Sequence, residues 1–285
     1  MFDKKFIFVP VFGLMMAGND AFAAGLNLND IKKRISFKLD TTIGYSYTAS
    51  STAYDKSKIS AGNYFVPSED FSHETHYEAS SSKHNNSHSL VAGVNANMYF
   101  EIVKGTRFMM SLGAIGRGMF GKNEYSVRNE QNTVAGGVAV SSEVNNGKLS
   151  FQDFGSVYFG VGISQDIYKD LTIEAMVTNG ISVSKLRYSE SNAVYTPGEA
   201  GKMEQNSSYN RSNSKIGVSY RLGAKLNFIY KDRFIYYVDY AMDTYKIGNV
   251  VNDSSQGTAL NKAAGFFRNK MVNHTLSVGI GYRWF

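Results

Sequence analysis

Strict alternation of apolar and polar residues, repeated in eight segments, is the feature that most constrains the fold. Between Leu90 and Ile102 every second residue is apolar, and most residues between them are small or polar. Successive side chains of a β-strand point to opposite faces, so each segment predicts a strand with one apolar face. The eight segments are Ile35–Tyr47, Leu90–Ile102, Arg107–Phe120, Leu149–Tyr168, Leu171–Lys185, Lys215–Tyr230, Arg233–Ile247 and Asn273–Phe285.

The connections between these segments alternate between long and short. Four are long and polar, covering residues 48–87, 121–148, 186–214 and 248–270, whereas the intervening three are tight turns. An outer-membrane barrel has this asymmetry, with short periplasmic turns and long extracellular loops. An open sheet in lipid would leave its edges unpaired, so the sheet must close. No apolar run reaches the length of a transmembrane helix.

The first 23 residues have the composition of an export signal. Lys4 and Lys5 precede the apolar stretch Phe6–Gly18, which is followed by Ala21-Phe22-Ala23. A basic start, a short apolar core and a small-x-small end predict a secretory signal peptide, residues 1–23. We expect residues 24–34 to be a short periplasmic segment and residues 35–285 to form the barrel.

The signal peptide, the eight strands and the ending Ser277–Phe285 together carry a resemblance. The chain resembles the small eight-stranded outer-membrane β-barrels of Gram-negative bacteria, such as the membrane domain of outer-membrane protein A and the opacity and adhesin/invasion barrels. The resemblance implies an all-β, transmembrane, up-and-down antiparallel barrel, monomeric and located in the cell outer membrane. Its implied partners are outer-membrane lipid, lipopolysaccharide and the barrel-assembly machinery.

The last residues are expected to serve as the assembly signal. The resemblance assigns this role to Tyr282, Trp284 and Phe285. In the family the terminal aromatic residue usually shares the apolar face of the last strand. Here Trp284 is in phase with that face and Phe285 is one residue out.

The inward faces of the predicted strands carry charges. There are five basic and four acidic residues, namely Lys38, Asp40, Arg117, Glu174, Arg221, Lys225, Asp239, Asp243 and Arg283. An eight-stranded barrel is just wide enough for side chains to fill it, and buried charges must be paired. The set predicts a charge network that plugs the barrel, and the alternative is a narrow or gated pore.

Catalytic and cofactor chemistry finds little support in the sequence. The absence of Cys excludes disulfides and thiolate metal sites. The His73–His76 pair has no third fixed ligand, and no Ser–His–carboxylate triad is recognisable. A formal net charge of +6 without basic runs does not indicate a nucleic-acid partner. We therefore expect no enzyme activity, no metal and no cofactor.

The predicted role lies at the cell surface. Tyr45, Tyr47, Tyr236 and Tyr240 are expected to form the aromatic girdle at the membrane boundary. Aromatic residues scattered in the long loops suit either protein contact or interfacial anchoring. We expect adhesion, host interaction or an envelope-structural role through these loops, with a small-solute channel as the alternative. If residues 133–140 entered the membrane the strand count would be ten, but a hairpin extending strands three and four is favoured.

Overall fold

The computed structural model describes residues 34–51, 53, 64–67, 73–84, 86–120, 123–136, 138–198, 202–251 and 267–285. The predicted signal peptide lies outside these residues. In the described part of the chain, no helix has the length and apolar character needed to cross a membrane.

Eight strands close into a ring in which every neighbouring pair is antiparallel. The ring runs β1-β4-β5-β7-β8-β9-β10-β11 and returns to β1. Its strands are β1 (Ile35–Ser50), β4 (Asn86–Val103), β5 (Thr106–Phe120), β7 (Val138–Tyr168), β8 (Leu171–Pro197), β9 (Met203–Tyr230), β10 (Phe234–Lys246) and β11 (Lys270–Arg283). The predicted eight-stranded up-and-down barrel is confirmed.

Three further strands extend the sheet beyond the ring. They are β2 (Tyr64–Pro67), β3 (His73–His84) and β6 (Asn123–Ala135), and one helical turn, α1 (Gly248–Val251), precedes β11. β6 pairs with the N-terminal half of β7, residues 138–151, and ends next to Gly136, which has a φ of 55°. Residues 133–136 and 138–140 thus lie at the end of a hairpin outside the ring, and the ten-strand alternative is wrong.

Much of the sequence predicted as long loops is β-structure. β8 and β9 stay paired as far as Pro197 and Met203, well into the predicted loop 186–214. β6 and β7 fill most of the predicted loop 121–148, and β3 in the first loop pairs with β6. Polar composition hid these strands, because both of their faces lack the continuous apolar stripe used to recognise the membrane strands.

The barrel is apolar outside and polar inside. Ile43, Leu112 and Ile216 are 63%, 61% and 72% exposed on the outer wall, whereas their strand neighbours Thr42 and Ser111 are buried. A folded protein in water does not expose an apolar surface of this extent. This distribution is that of a barrel embedded in lipid.

A β-bulge in β7 reverses which residues face inward. The register with β8 shifts between Asp153 and Gly155, and Gly155 has a φ of 150°. A Cβ at Gly155 would overlap the carbonyl oxygen of Ile115, so only glycine fits. After the bulge in the chain Val157 faces outward, but before it Asp153 and Phe151 face the interior. A constant alternation would have placed both of them outside.

Candidate functional site: the barrel lumen and its mouth

The layer of the lumen nearest the short turns, which we call the lowest, is a network centred on Arg283 of β11. Arg283 Nε donates to Asp40 Oδ1 at 2.7 Å, and Nη2 donates to Glu174 Oε1 at 3.1 Å. Tyr99 donates to Glu174 at 2.8 Å and Asn97 to Asp40 at 2.7 Å. Because Asp40 lies on β1 and Glu174 on β8, one guanidinium joins walls on opposite sides of the ring.

A second layer lies above it and is centred on Arg221 of β9. Arg221 Nη2 donates to Asp239 Oδ2 at 2.8 Å, and Arg221 Nη1 lies 3.7 Å from Asp243 Oδ2. Ser182 donates to Asp243 at 2.6 Å. Lys225 Nζ lies 5.1 Å from the centre of the Tyr237 ring, a cation–π contact. Arg221, Asp239 and Asp243 are thus buried and paired, as the low dielectric of the interior requires.

A third ion pair joins Arg117 to Asp153, the residue turned inward by the bulge. Asp153 is an interior charge that sequence reasoning missed. Lys38, by contrast, is half-exposed and pairs at 2.9 Å with Asp232 in the turn between β9 and β10. Lys38 therefore lies at the rim of the lumen, and its partner Asp232 also lies 3.7 Å from Arg283 Nη1, at the edge of the Arg283 network. The lumen holds Arg117, Arg221, Lys225 and Arg283 against Asp40, Asp153, Glu174, Asp239 and Asp243.

The mouth of the lumen is filled by an apolar cluster, which we call the mouth cluster. Its members are all buried and come from β6, β7, β8, β10, α1, β11 and the segments beside them: Ala53, Tyr125, Val127, Leu149, Phe151, Leu186, Tyr188, Tyr245, Ile247, Val250, Val251, Phe267 and Met271. The rings of Phe151 and Tyr245 meet edge to face with their centres 4.8 Å apart. Each large member contributes about 1.5–3 kcal/mol by burial.

Polar contacts hold α1 over this cluster. Arg211 Nη2 donates to the carbonyl oxygen of Val251, and Asn213 Nδ2 to that of Val250, each at 3.1 Å. Arg211 also forms a buried ion pair with Glu190 at 2.9 Å. Tyr188 donates to Glu190 at 3.2 Å, and burial together with that carboxylate raises the pKa of the Tyr188 hydroxyl well above its usual range. The hydroxyl thus remains a neutral donor.

Sequence reasoning did not find the mouth cluster. Leu186 and Tyr188 fell in a predicted loop, and the bulge places Leu149 and Phe151 on the opposite face from the one that extrapolation from Val157 gives. The available signal was that Leu186 and Tyr188 continue the two-residue period of Ser182 and Ser184 on the opposite face from Ile181.

The predicted girdle tyrosines lie on the outer wall. Tyr45, Tyr47, Tyr236 and Tyr240 are between 38% and 57% exposed. Tyr45 and Tyr47 surround His88, and the Tyr240 hydroxyl lies 2.7 Å from His274 Nδ1. These histidines give polar partners to hydroxyls that face the outside of the barrel.

The chain end is tied to the first strand. Trp284 N donates to the Leu39 carbonyl at 2.9 Å, and Leu39 N donates to the Phe285 carbonyl at 3.2 Å. Tyr282 and Trp284 form an edge-to-face pair on the outer wall, and Phe285 is 71% exposed. All three aromatic residues of the predicted assembly signal thus lie at the seam where β11 meets β1.

No group of His, Asp or Glu suited to a metal ion occurs among the residues that the structure describes. His73 and His76 lie in β3, in a strand rather than the predicted loop.

No family model and no curated protein matches the chain. Among solved structures, similarity is found to Ail, the attachment invasion locus protein of Yersinia pestis, with 14% identity, a TM-score of 0.30, and coverage of 87% of this chain and 98% of that one. The outer membrane protein OprG of Pseudomonas aeruginosa gives 7% identity, a TM-score of 0.30 and coverage of 87% and 96%. The outer membrane protease OmpT of Escherichia coli gives 10% identity, a TM-score of 0.28, and coverage of 87% of this chain and 98% of that one. At these values the similarity supports no inference about function.

Proposed function

We propose that this protein is a non-conducting barrel of the bacterial outer membrane. It acts through the β-sheet that it displays above the membrane, formed by β3, β6 and the adjoining parts of β7, β8 and β9, which we call the displayed sheet. One observation carries the proposal: the lumen is closed twice, by the paired charges around Arg283 and Arg221 and by the mouth cluster. A lumen filled in this way leaves the outer surface and the displayed sheet for function.

The displayed sheet has the dimensions of a contact surface. β8 continues for twelve residues beyond Lys185 to Pro197, which is about 40 Å along the strand. Its partner β9 is exposed along most of Met203–Ser214 and is rich in Ser and Asn. Such side chains provide adaptable hydrogen bonding, and this supports a role in adhesion, host interaction or envelope structure.

Shortening the β8–β9 hairpin tests the displayed-sheet role. Residues 193–208 are replaced by Asn-Gly, which joins the paired residues Asn192 and Tyr209. Because the ion pair of Glu190 and Arg211 is retained, we expect a normal barrel but at least a tenfold loss of bacterial attachment to cultured epithelial cells and to immobilised extracellular-matrix protein. The matched control replaces Gly136–Gly137 at the β6–β7 tip by Asn-Gly. Unchanged attachment of the shortened variant to every surface would contradict the role of this hairpin.

A small-solute channel remains the second candidate, and one observation favours it. Among the described residues, Arg117 Nη2, Arg221 Nε and Asp239 Oδ1 are buried without a hydrogen-bond partner. Such atoms in a polar lumen call for internal water. A continuous water path would be a pore.

Single-channel recording of the purified barrel in planar bilayers separates the two functions. We expect no steady conductance, because the mouth cluster and the Arg283 layer both cross the lumen. The control is the same protein after thermal unfolding. Steady conductance that is altered by Arg117→Ala or Asp239→Ala would contradict the closed lumen and establish the channel.

A further inference from the structure

The outer wall of the barrel changes abruptly from apolar to basic along β8. Its consecutive outward residues are Ile181, Val183, Lys185 and Arg187, spaced about 7 Å apart. On the neighbouring strand, Lys185 pairs with Ile216, which is 72% exposed. The two cations therefore stand directly above the edge of the apolar band.

These two cations have no acidic partner in the described part of the chain. Nearby Lys148 is neutralised by Glu124 at 2.8 Å, and Arg128 by Glu130 at 3.0 Å. No such pair involves Lys185 or Arg187. Both line one polar recess with the Lys148–Glu124 ion pair, Ser150 and Ser189. The recess therefore offers two adjacent positive charges and several hydroxyl groups to an anion.

Below the cations lies a groove of about 550 Å³ on the apolar wall. Small residues form it: Ala92, Ala114 and Gly116 on β4 and β5, with Gly155 in the bulge. Val183 and Ile181, which precede Lys185 on the outer face of β8, also line it, together with larger apolar residues such as Phe154 and Val157. A Cβ at Gly116 would meet only the Ala92 carbonyl at 3.9 Å, so this depression is open rather than filled by a neighbouring side chain.

We infer that this wall binds a phosphorylated lipid of the outer leaflet, with its phosphate on Lys185 and Arg187 and an acyl chain in the groove below. Both halves are needed for this ligand: cations at the membrane surface attract anionic headgroups, and an apolar depression within the membrane accommodates a chain. The orientation, with this end facing outward, rests on the proposed outer-membrane location. The lipid would anchor the displayed sheet at the height of the leaflet surface.

Titration of the purified full-length barrel in detergent micelles with bis-phosphorylated lipid A tests the site, with bound lipid counted by native mass spectrometry. We expect Lys185→Glu with Arg187→Glu to weaken binding at least about tenfold, because two attractive charges become repulsive. Gly116→Leu should weaken it several-fold by filling the groove. Heat-modifiable migration on gels verifies folding, and Lys185→Gln with Arg187→Gln repeats the test with a smaller charge change.

Matched controls and probes separate this ligand from other anions. Lys202→Glu changes the same charge near the β8–β9 tip, and Gly118→Leu fills an open position on the same strand outside the groove; neither should alter binding. Equal binding of the dephosphorylated lipid, or an unchanged affinity in both charge variants, overturns the inference. A heparin fragment or inorganic phosphate that binds as tightly as lipid A and is insensitive to Gly116→Leu also overturns it, in favour of a soluble anion. The attachment and conductance experiments test the proposed function, whereas the lipid titration tests the lipid site, so failure of either proposal can be recognised separately.

Discussion

Replacing Arg283 with Met should lower the free energy of unfolding by about 3–5 kcal/mol, because it leaves Asp40 and Glu174 buried without their cation. The guanidinium also contacts Glu174 of β8, a strand that is not a neighbour of β11 in the ring. The expected result is a large fall in the urea midpoint of the barrel in detergent micelles. Heat-modifiable migration on gels would report the folded fraction at each urea concentration.

The matched control for this variant is Arg233→Met, an exposed arginine in the nearby turn, which should change stability by less than about 0.5 kcal/mol. A triple variant, Arg283→Met with Asp40→Asn and Glu174→Gln, should recover most of the loss, since no uncompensated charge remains. If Arg283→Met alone unfolds no more readily than Arg233→Met, the network does not stabilise the barrel. Failure of the triple variant to recover would show that the guanidinium acts through packing, including its contact with the Tyr99 ring.

Replacing Phe151 and Tyr245 with Ala should open the displayed sheet without dismantling the membrane barrel. Truncation of a large buried aromatic residue costs about 3–5 kcal/mol, and these two rings are in contact. Local opening would release the paired backbone at Arg187 and Arg211, so that trypsin can cleave after these residues. We expect cleavage there to accelerate by about 10²–10³-fold when reclosing is fast relative to cleavage, while the barrel retains its heat-modifiable migration.

The control for the mouth variant is Val138→Ala, an apolar residue of the same strand that is 65% exposed. It should leave the cleavage rate unchanged. Equal cleavage rates for the double variant and for Val138→Ala would show that the mouth cluster does not hold the displayed sheet. In planar bilayers the double variant should remain closed, because the Arg283 and Arg221 layers persist beneath it. Steady conductance in this variant would assign the barrier to the mouth cluster alone.

The sequence predicted the membrane strands because their signal is local. In lipid, each strand needs an apolar outward face along its whole length, so Ile35–Tyr47 and Leu90–Ile102 show the pattern without reference to the rest of the chain. Strands outside the lipid have no such requirement. This is why β6 and the upper parts of β7, β8 and β9 were read as loops, and why β3 was not recognised.

Sequence by itself determined a closed barrel of eight strands, its polar interior, its long connections at one end and most of the charges that the described residues bury in the lumen. Tertiary structure decided which charges meet and what fills the mouth. A single bulge at Gly155 moved Asp153 and Phe151 inside, and the turn at Asp232 supplies the partner of Lys38 at the rim. The two-residue period of a strand fixes facing only while the register is unbroken. Contacts across the lumen, such as Arg283 with Glu174, exist only once the ring has closed.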